Sequence, residues 1–293
     1  MKVLARAVDL LRNEGLKPFL GHGCRFIGNR LIRSHDIDRK SAIIERYSET
    51  DRYLNVGGGE FVKEDWRVLD YDTDWYDYDP ILIDYELDLE ARTQWPIESD
   101  SYDIVYSSHT LEHLTDETVE HVLEEAYRVL RPGGTIRLNV PDASLAIRHY
   151  EQDHLDWFEN VWLETYTESV YFAEDKCPGY ELEFYLLSYF ATYLARVRFA
   201  ETDFATVRAD FQTMDHREFL TEYSTRIRDE WQQRYPGWHR NWFTAARLRA
   251  LLEATGFDEI METNCRQSNH PELCTTHFDN RPQMSVFAEA KKP

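Results

Sequence analysis

The chain has 293 residues, 42% of them hydrophobic, enough to bury one sizeable core or two modest ones. It has no unbroken apolar run of the roughly 18 residues that a membrane-spanning helix needs. Arg6, Asp9, Arg12 and Glu14 also break up the first stretch in a way no secretory signal allows. A net charge of −21 repels phosphate backbones, so no nucleic acid is expected as partner or substrate.

The charge is uneven. Residues 1–50 hold ten Lys/Arg against six Asp/Glu, and only seven of the 33 basic residues are lysine. An acid-rich, lysine-poor composition suits a protein kept soluble at high salt, where screening weakens self-repulsion. Cys24, Cys177, Cys265 and Cys274 form no CxxC pair. A reducing, cytoplasmic setting is therefore expected instead of a disulfide framework.

Residues 1–50 read as an N-terminal helical cap, with Val3, Ala7, Leu10 and Leu11 on one face and Arg6 and Arg12 beside it. That face could pack on the core, or its basic border could make a weak peripheral membrane or partner contact. From residue 53 to 140 short apolar runs alternate with turns, as βα units feeding a mostly parallel sheet require. The strand candidates are Tyr53–Val56, Trp66–Asp70, Ile81–Tyr85, Tyr102–Ser107 and Thr135–Val140. Between the last two lies a helix capped by Thr115, with Asp116 and Glu117 at its positive end. Val119, Val122, Leu123, Ala126 and Leu130 form its buried stripe, and Arg131-Pro132-Gly133-Gly134 is expected to stop it and turn the chain. Residues 143–238 carry 21 of the 41 aromatic residues and almost no strand signal. The α/β pattern then resumes with a helix from Thr244 to Gly256 and strands near Asp258–Glu262 and Met284–Ala290. The expected organisation is a cap over 1–50, an α/β core from 51–142 and 239–293, and a helical substrate-recognition insertion over 143–238.

Leu54-Asn55-Val56-Gly57-Gly58-Gly59-Glu60 reads as a buried strand entering a glycine turn, where side chains would keep a cofactor off the backbone. Asp70, followed by Tyr71, ends the second strand, where a carboxylate can accept both hydroxyls of a ribose. Asp88 and Leu89 follow the third strand; there a carboxylate can accept from an adenine amino group while the backbone reads the ring edge. Ser107, Ser108 and His109 end the fourth. All these positions fall at C-terminal strand ends, the edge at which open α/β sheets bind ligands.

The ordered stretches LNVGGGE, WRVLD, ELDLE, WPIESDSYDIVYSSHTLEHL and EEAYRVLRPGGTIRLNVPD resemble the type 11 group of class I methyltransferases. Within that group the closest likeness is to predicted S-adenosylmethionine-dependent methyltransferases whose first motif reads Leu-Asn-x-Gly. WFTAARLRALLEATGF and RPQMSVFAEAKK resemble the group's last helix and final strand. The resemblance implies a Rossmann-like α/β methyltransferase fold, a mostly parallel seven-stranded sheet with the helical insertion after the fifth strand. It also implies S-adenosyl-L-methionine as cofactor. Asn55 and Gly57 to Glu60 would cradle its methionine portion, Asp70 and Tyr71 would hold the ribose, Asp88 and Leu89 would bind adenine, and Ser107 to His109 would flank the sulfonium. Three features depart from the pattern. Asn55 stands for the usual acid, Glu60-Phe61 replaces the last glycine of the turn, and Asp70 follows Gly59 by only eleven residues. So short a link leaves little room for a first helix and disfavours NAD, whose pyrophosphate needs that helix N-terminus.

If the acceptor is a hydroxyl of a small molecule or glycan precursor, a base must take its proton. His109, His113, Asp142 and His239 are the candidates. His109-Thr110-Leu111-Glu112-His113 also spells HxxEH, a pattern able to place metal ligands on one helical face. It resembles, with His109 for the first acid, the ExxEH metal motif of certain O-methyltransferases. Separately, Cys265, His270, Cys274 and His277 form a non-standard soft-and-imidazole set that zinc could take. The altered first motif leaves a cofactor-binding partner or sensor without catalysis as a second reading, and a nucleotide-dependent reductase as a third.

Overall fold

The computed structural model describes residues 52–59, 61–73, 82–166, 181–195 and 202–293, without the side chains of 162–166 and 234. The expected cap over 1–50 and Glu60 lie outside the described residues.

Seven strands form one sheet in the order β3-β2-β1-β4-β5-β7-β6. They are β1 Tyr53–Val56, β2 Trp66–Asp70, β3 Tyr85–Glu86, β4 Tyr102–Ser108, β5 Leu130–Pro141, β6 Asp258–Thr263 and β7 Ser285–Lys291. The first five pair in parallel, and β7 runs antiparallel to both β5 and β6. β1 is buried along its whole length, as a central parallel strand covered on both faces must be. Among the described residues no helix lies between β1 and β2, in keeping with their short separation.

Helix α1, Asp116–Val129, starts where Thr115 Oγ1 accepts from the Thr118 N–H. It buries Val119, Val122, Leu123 and Ala126 against the sheet. Helix α9, Ala245–Thr255, is capped by Thr244 and ends at Gly256, whose φ of 104° closes the helix in the left-handed region. Leu248 and Leu252 of α9 join the same core.

Two local expectations need correction. The third strand is the short Tyr85–Glu86 and not Ile81–Tyr85; Ile81 lies outside the described residues. Just before the strand, the Asp84 side chain, not a strand backbone, accepts the Val68 N–H at 2.8 Å. The helix ends at Val129, as expected, but the fifth strand begins at Leu130 and not at Thr135, and Arg131–Gly134 lies inside it as an irregularity without ladder partners in β4. There the Gly133 N–H donates to the Lys292 carbonyl, and Lys292 N–H to that of Gly134, so both groups stay in the ladder.

The described part of 143–238 is helical: α2 Ala143–Glu151, α3 Leu155–Tyr166, α4 Leu182–Phe190, α5 Thr192–Ala195, α6 Phe204–Thr213, α7 His216–Thr225 and α8 Asp229–Arg234. Phe158, Tyr185, Tyr189, Tyr193, Phe211, Phe219 and Tyr223 build a second apolar core among them. Most of the aromatic residues noted there thus pack on one another, while Trp162 and Tyr166 are outside the described side chains. Met284, the residue just before β7, belongs to this second core and accepts a hydrogen bond from the Tyr189 hydroxyl through its carbonyl. No described helix is long and apolar enough to cross a membrane.

Candidate functional site

Parallel register brings the C-terminal ends of β1 to β4 into one row, with β5 alongside. Val56 of β1 lies beside Leu69 of β2 and Ser107 of β4, Asp70 beside Glu86 of β3, and Ser107 beside Leu138 of β5. Gly57, Asp70, Asp88 and Ser107 to His109 therefore share one edge of the sheet.

Gly57 opens the bend after β1 with a φ of 69°. A Cβ there would stand 2.1 Å from Thr110 Oγ1, so the position excludes a side chain both by conformation and by contact. Thr110 itself is held by its hydroxyl donating to the Val56 carbonyl at 3.3 Å, beside a parallel bond from the Ser107 hydroxyl at 3.0 Å. Thr110 was not singled out from the sequence, because nothing local marks it as the neighbour of a glycine 53 positions earlier.

Asp70 closes the bend from the other side. Its carboxylate accepts from the Gly59 N–H at 2.6 Å and from the Tyr71 N–H at 2.7 Å, one bond to each oxygen. A carboxylate has about four acceptor sites, so two stay available for a diol. Burial pushes the Asp70 carboxyl up, against the two N–H groups that favour its charged form. Asp88 is exposed and caps the 3-10 turn Leu89–Ala91, accepting from the Glu90 N–H through one oxygen at 3.0 Å. Leu89 beside it is buried. Glu90, in turn, accepts from the Thr115 N–H and the Thr118 hydroxyl and ties this turn to α1. Asn55 is buried within β1.

After β4 the chain makes a single 3-10 turn, Leu111–His113, and not the α-helical turn that the HxxEH spelling suggests. His109 enters it with a φ of 53°. Both its ring nitrogens have neighbours: Nδ1 lies 3.0 Å from Glu112 Oε1 and Nε2 lies 2.9 Å from Ser285 Oγ. Burial pushes the His109 imidazole down, while Glu112 opposes that shift. Glu112 is buried and faces three imidazoles, which hold its carboxyl at about 2 although burial alone would raise it. His239 is pushed down to about 3, by burial first and then by His113. Asp142 follows β5 and caps α2, accepting from the Ser144 N–H at 2.9 Å. Burial pushes its carboxyl up despite the Ser144 and Leu145 N–H groups.

The Cys265, His270, Cys274 and His277 side chains do not come together as a ligand set. Cys265 Sγ points to the Asp279 carbonyl and Cys274 Sγ to those of Ser268 and His270. His270 Nδ1 accepts from the Glu272 N–H and His277 Nδ1 lies beside Thr275. Each is turned toward its own loop.

The seven-stranded sheet, with its one antiparallel strand, carries the glycine bend and the carboxylates along one edge, the layout of a Rossmann-like α/β fold. Residues 60–138 match the family model described as a methyltransferase domain. No curated protein matches the chain. Among solved structures it is similar to the CurJ carbon methyltransferase, at 14% identity over 85% of this chain and 50% of that one, with a TM-score of 0.36. It is also similar to a SAM-dependent methyltransferase from Thermotoga maritima, at 14% identity over 92% and 97% of the two chains, with a TM-score of 0.36. A third is a SAM-dependent methyltransferase from Methanosarcina mazei, at 13% identity over 85% and 96%, with a TM-score of 0.39. The chain spans half the length of the CurJ protein.

Proposed function

We propose that this chain methylates an oxygen of a small molecule or glycan precursor, with the cofactor lying along the edge formed by β1, β2, β3 and β4. The observation that carries this reading is the junction of the glycine bend with Asp70, where the Gly59 N–H donates to the carboxylate at 2.6 Å. A bend fixed in this way offers bare backbone to the methionine portion and directs the remaining acceptor sites of Asp70 to the ribose hydroxyls. The oxygen of Asp88 not engaged by Glu90 accepts the adenine amino group, and buried Leu89 packs on the ring. The cofactor, when bound, supplies a methyl group on a sulfonium that leaves as a neutral thioether.

The protein's main task in such a displacement is alignment, a contribution of about 7–11 kcal/mol at most. Of the four base candidates, Asp142 suits proton removal best. Its raised pKa brings it toward neutrality, and the cap to Ser144 fixes its direction. His109 has neighbours at both ring nitrogens and acts as a positioning residue between Glu112 and Ser285.

Calorimetry with S-adenosylhomocysteine tests the cofactor assignment. Binding by the wild type and a loss of about 1–3 kcal/mol in Asp88→Ala are expected for removal of one acceptor. Equal affinity in the two proteins would displace Asp88 from the adenine site. Binding of NAD in place of S-adenosylhomocysteine would overturn the reading as a whole.

A further inference from the structure

The turn after β4 and the segment that rejoins the sheet before α9 meet at a cluster that the methyl-transfer reading does not use. One oxygen of Glu112 lies 3.8 Å from His113 Nε2 and 4.0 Å from His239 Nε2. The two imidazole rings stand edge to face with centroids 5.0 Å apart. One ligand atom from each of Glu112, His113 and His239 fits within 4.8 Å of the others. The Glu112 side chain is 1% exposed and that of His239 is 3% exposed, while His113, at 16%, leaves a route from solvent.

We propose that Glu112, His113 and His239 form a binding site for a divalent transition-metal ion of the zinc class. Two imidazoles and one carboxylate make a donor set that such ions favour over magnesium, and three protein donors leave a position for water or an acceptor oxygen. Donors about 2.1 Å from a shared tetrahedral ion stand about 3.4 Å apart, so each imidazole needs to close on Glu112 by only about half an ångström.

Three independent observations point to a ligand. Glu112 Oε2, beside the oxygen that faces the two imidazoles, is buried and has no hydrogen-bond partner among the described residues, a costly state that an ion held by both carboxylate oxygens relieves. His239 Nδ1 lies 2.8 Å from the Tyr189 carbonyl, which directs the proton there and turns the lone pair of Nε2 toward Glu112. His109 Nδ1, 3.0 Å from Glu112 Oε1, orients the carboxylate from outside the cluster in the same manner. The backbone holds the two segments together: the Arg240 and Asn241 N–H groups both donate to the Glu112 carbonyl, and Gln232 Nε2 donates to that of His113. The ligand set therefore differs from the HxxEH spelling, with His239 taking the place of His109.

The site stands or falls on metal binding alone, apart from the cofactor and acceptor assignments. Chelator-treated full-length protein is titrated with Co²⁺ and followed by absorption, and with Zn²⁺ by calorimetry. One ion per chain is expected, with ligand-field bands of nitrogen and oxygen donors and no thiolate charge-transfer band. Affinity falls at least about tenfold in His113→Gln and in His239→Gln, and stays unchanged in a Cys265→Ser/Cys274→Ser protein. Because His113 is the least buried member, His113→Gln is the variant most certain to fold, and circular dichroism of each protein confirms it. No stoichiometric uptake by the wild type, undiminished uptake by a folded His113→Gln protein, or a charge-transfer band that the cysteine substitutions abolish would each overturn the proposal.

Discussion

At the scale of single residues, two positions carry separable roles. Gly57 sits at a positive φ with Thr110 packed where its Cβ would be. Gly57→Ala is expected to cost about 1–3 kcal/mol, from backbone strain together with the displaced threonine. Urea denaturation measures the cost, and S-adenosylhomocysteine calorimetry shows affinity falling with it. An unchanged urea midpoint would mean that Thr110 yields freely and that the bend needs no glycine. Asp142→Asn separates chemistry from structure, because asparagine caps α2 as well as aspartate does. Transfer of labelled methyl to a panel of hydroxylated small molecules and glycan precursors is expected to drop about a hundredfold while cofactor affinity holds. Retention of the wild-type rate would remove Asp142 from the role of base.

At the scale of elements, α1 is the part that fixes the turn after β3 and the stretch before β4. Its Glu125 and Arg128 form an ion pair at 2.7 Å that faces the stretch before β4. Glu125 accepts the Trp95 N–H at 2.7 Å, and Arg128 donates to the carbonyls of Ile97 and Trp95. Burial works to raise the Glu125 carboxyl, but Arg128 and the Trp95 N–H hold it below its ordinary value of 4.5. A depressed acid binds protons less readily in the folded state than in the unfolded one. Its contribution is thus complete above the ordinary value and is lost as pH falls through the depressed one. Glu125→Gln should lower stability at neutral pH by about 1–3 kcal/mol and flatten the acid limb of the unfolding curve below pH 4.5. A parallel acid limb in the variant would show that this pair does not link α1 stability to pH. The same helix was legible in the sequence down to its Thr115 cap, since capping depends on residues within one turn of each other. The Arg131–Gly134 stretch was not. Proline and glycine announce a turn locally, whereas this stretch is kept within β5 by the β4 partners of the flanking Leu130 and Thr135 and by its own bonds to Lys292, far along the chain.

At the scale of the molecule, a net charge of −21 dominates. Unfolding midpoints are expected to rise from dilute buffer to about 1 M KCl, where the Debye length shrinks from about 10 to about 3 Å and repulsion is screened. Full stability in dilute buffer would end the reading of this composition as one suited to high salt. By itself the sequence determined the succession of strands and helices, the caps at Thr115, Thr244 and Gly256, and the placing of the glycine bend, Asp70 and Asp88 at strand ends. Those features follow from periodicity, from capping and from the rule that parallel strands end on one side of a sheet. Tertiary structure alone decided which side chains meet across it. Antiparallel β7 delivers Ser285 to His109, and the packing of 232–241 on the Leu111–His113 turn delivers His239 to Glu112. Such meetings depend on how elements far apart in the chain pack, and no spacing within the sequence encodes them.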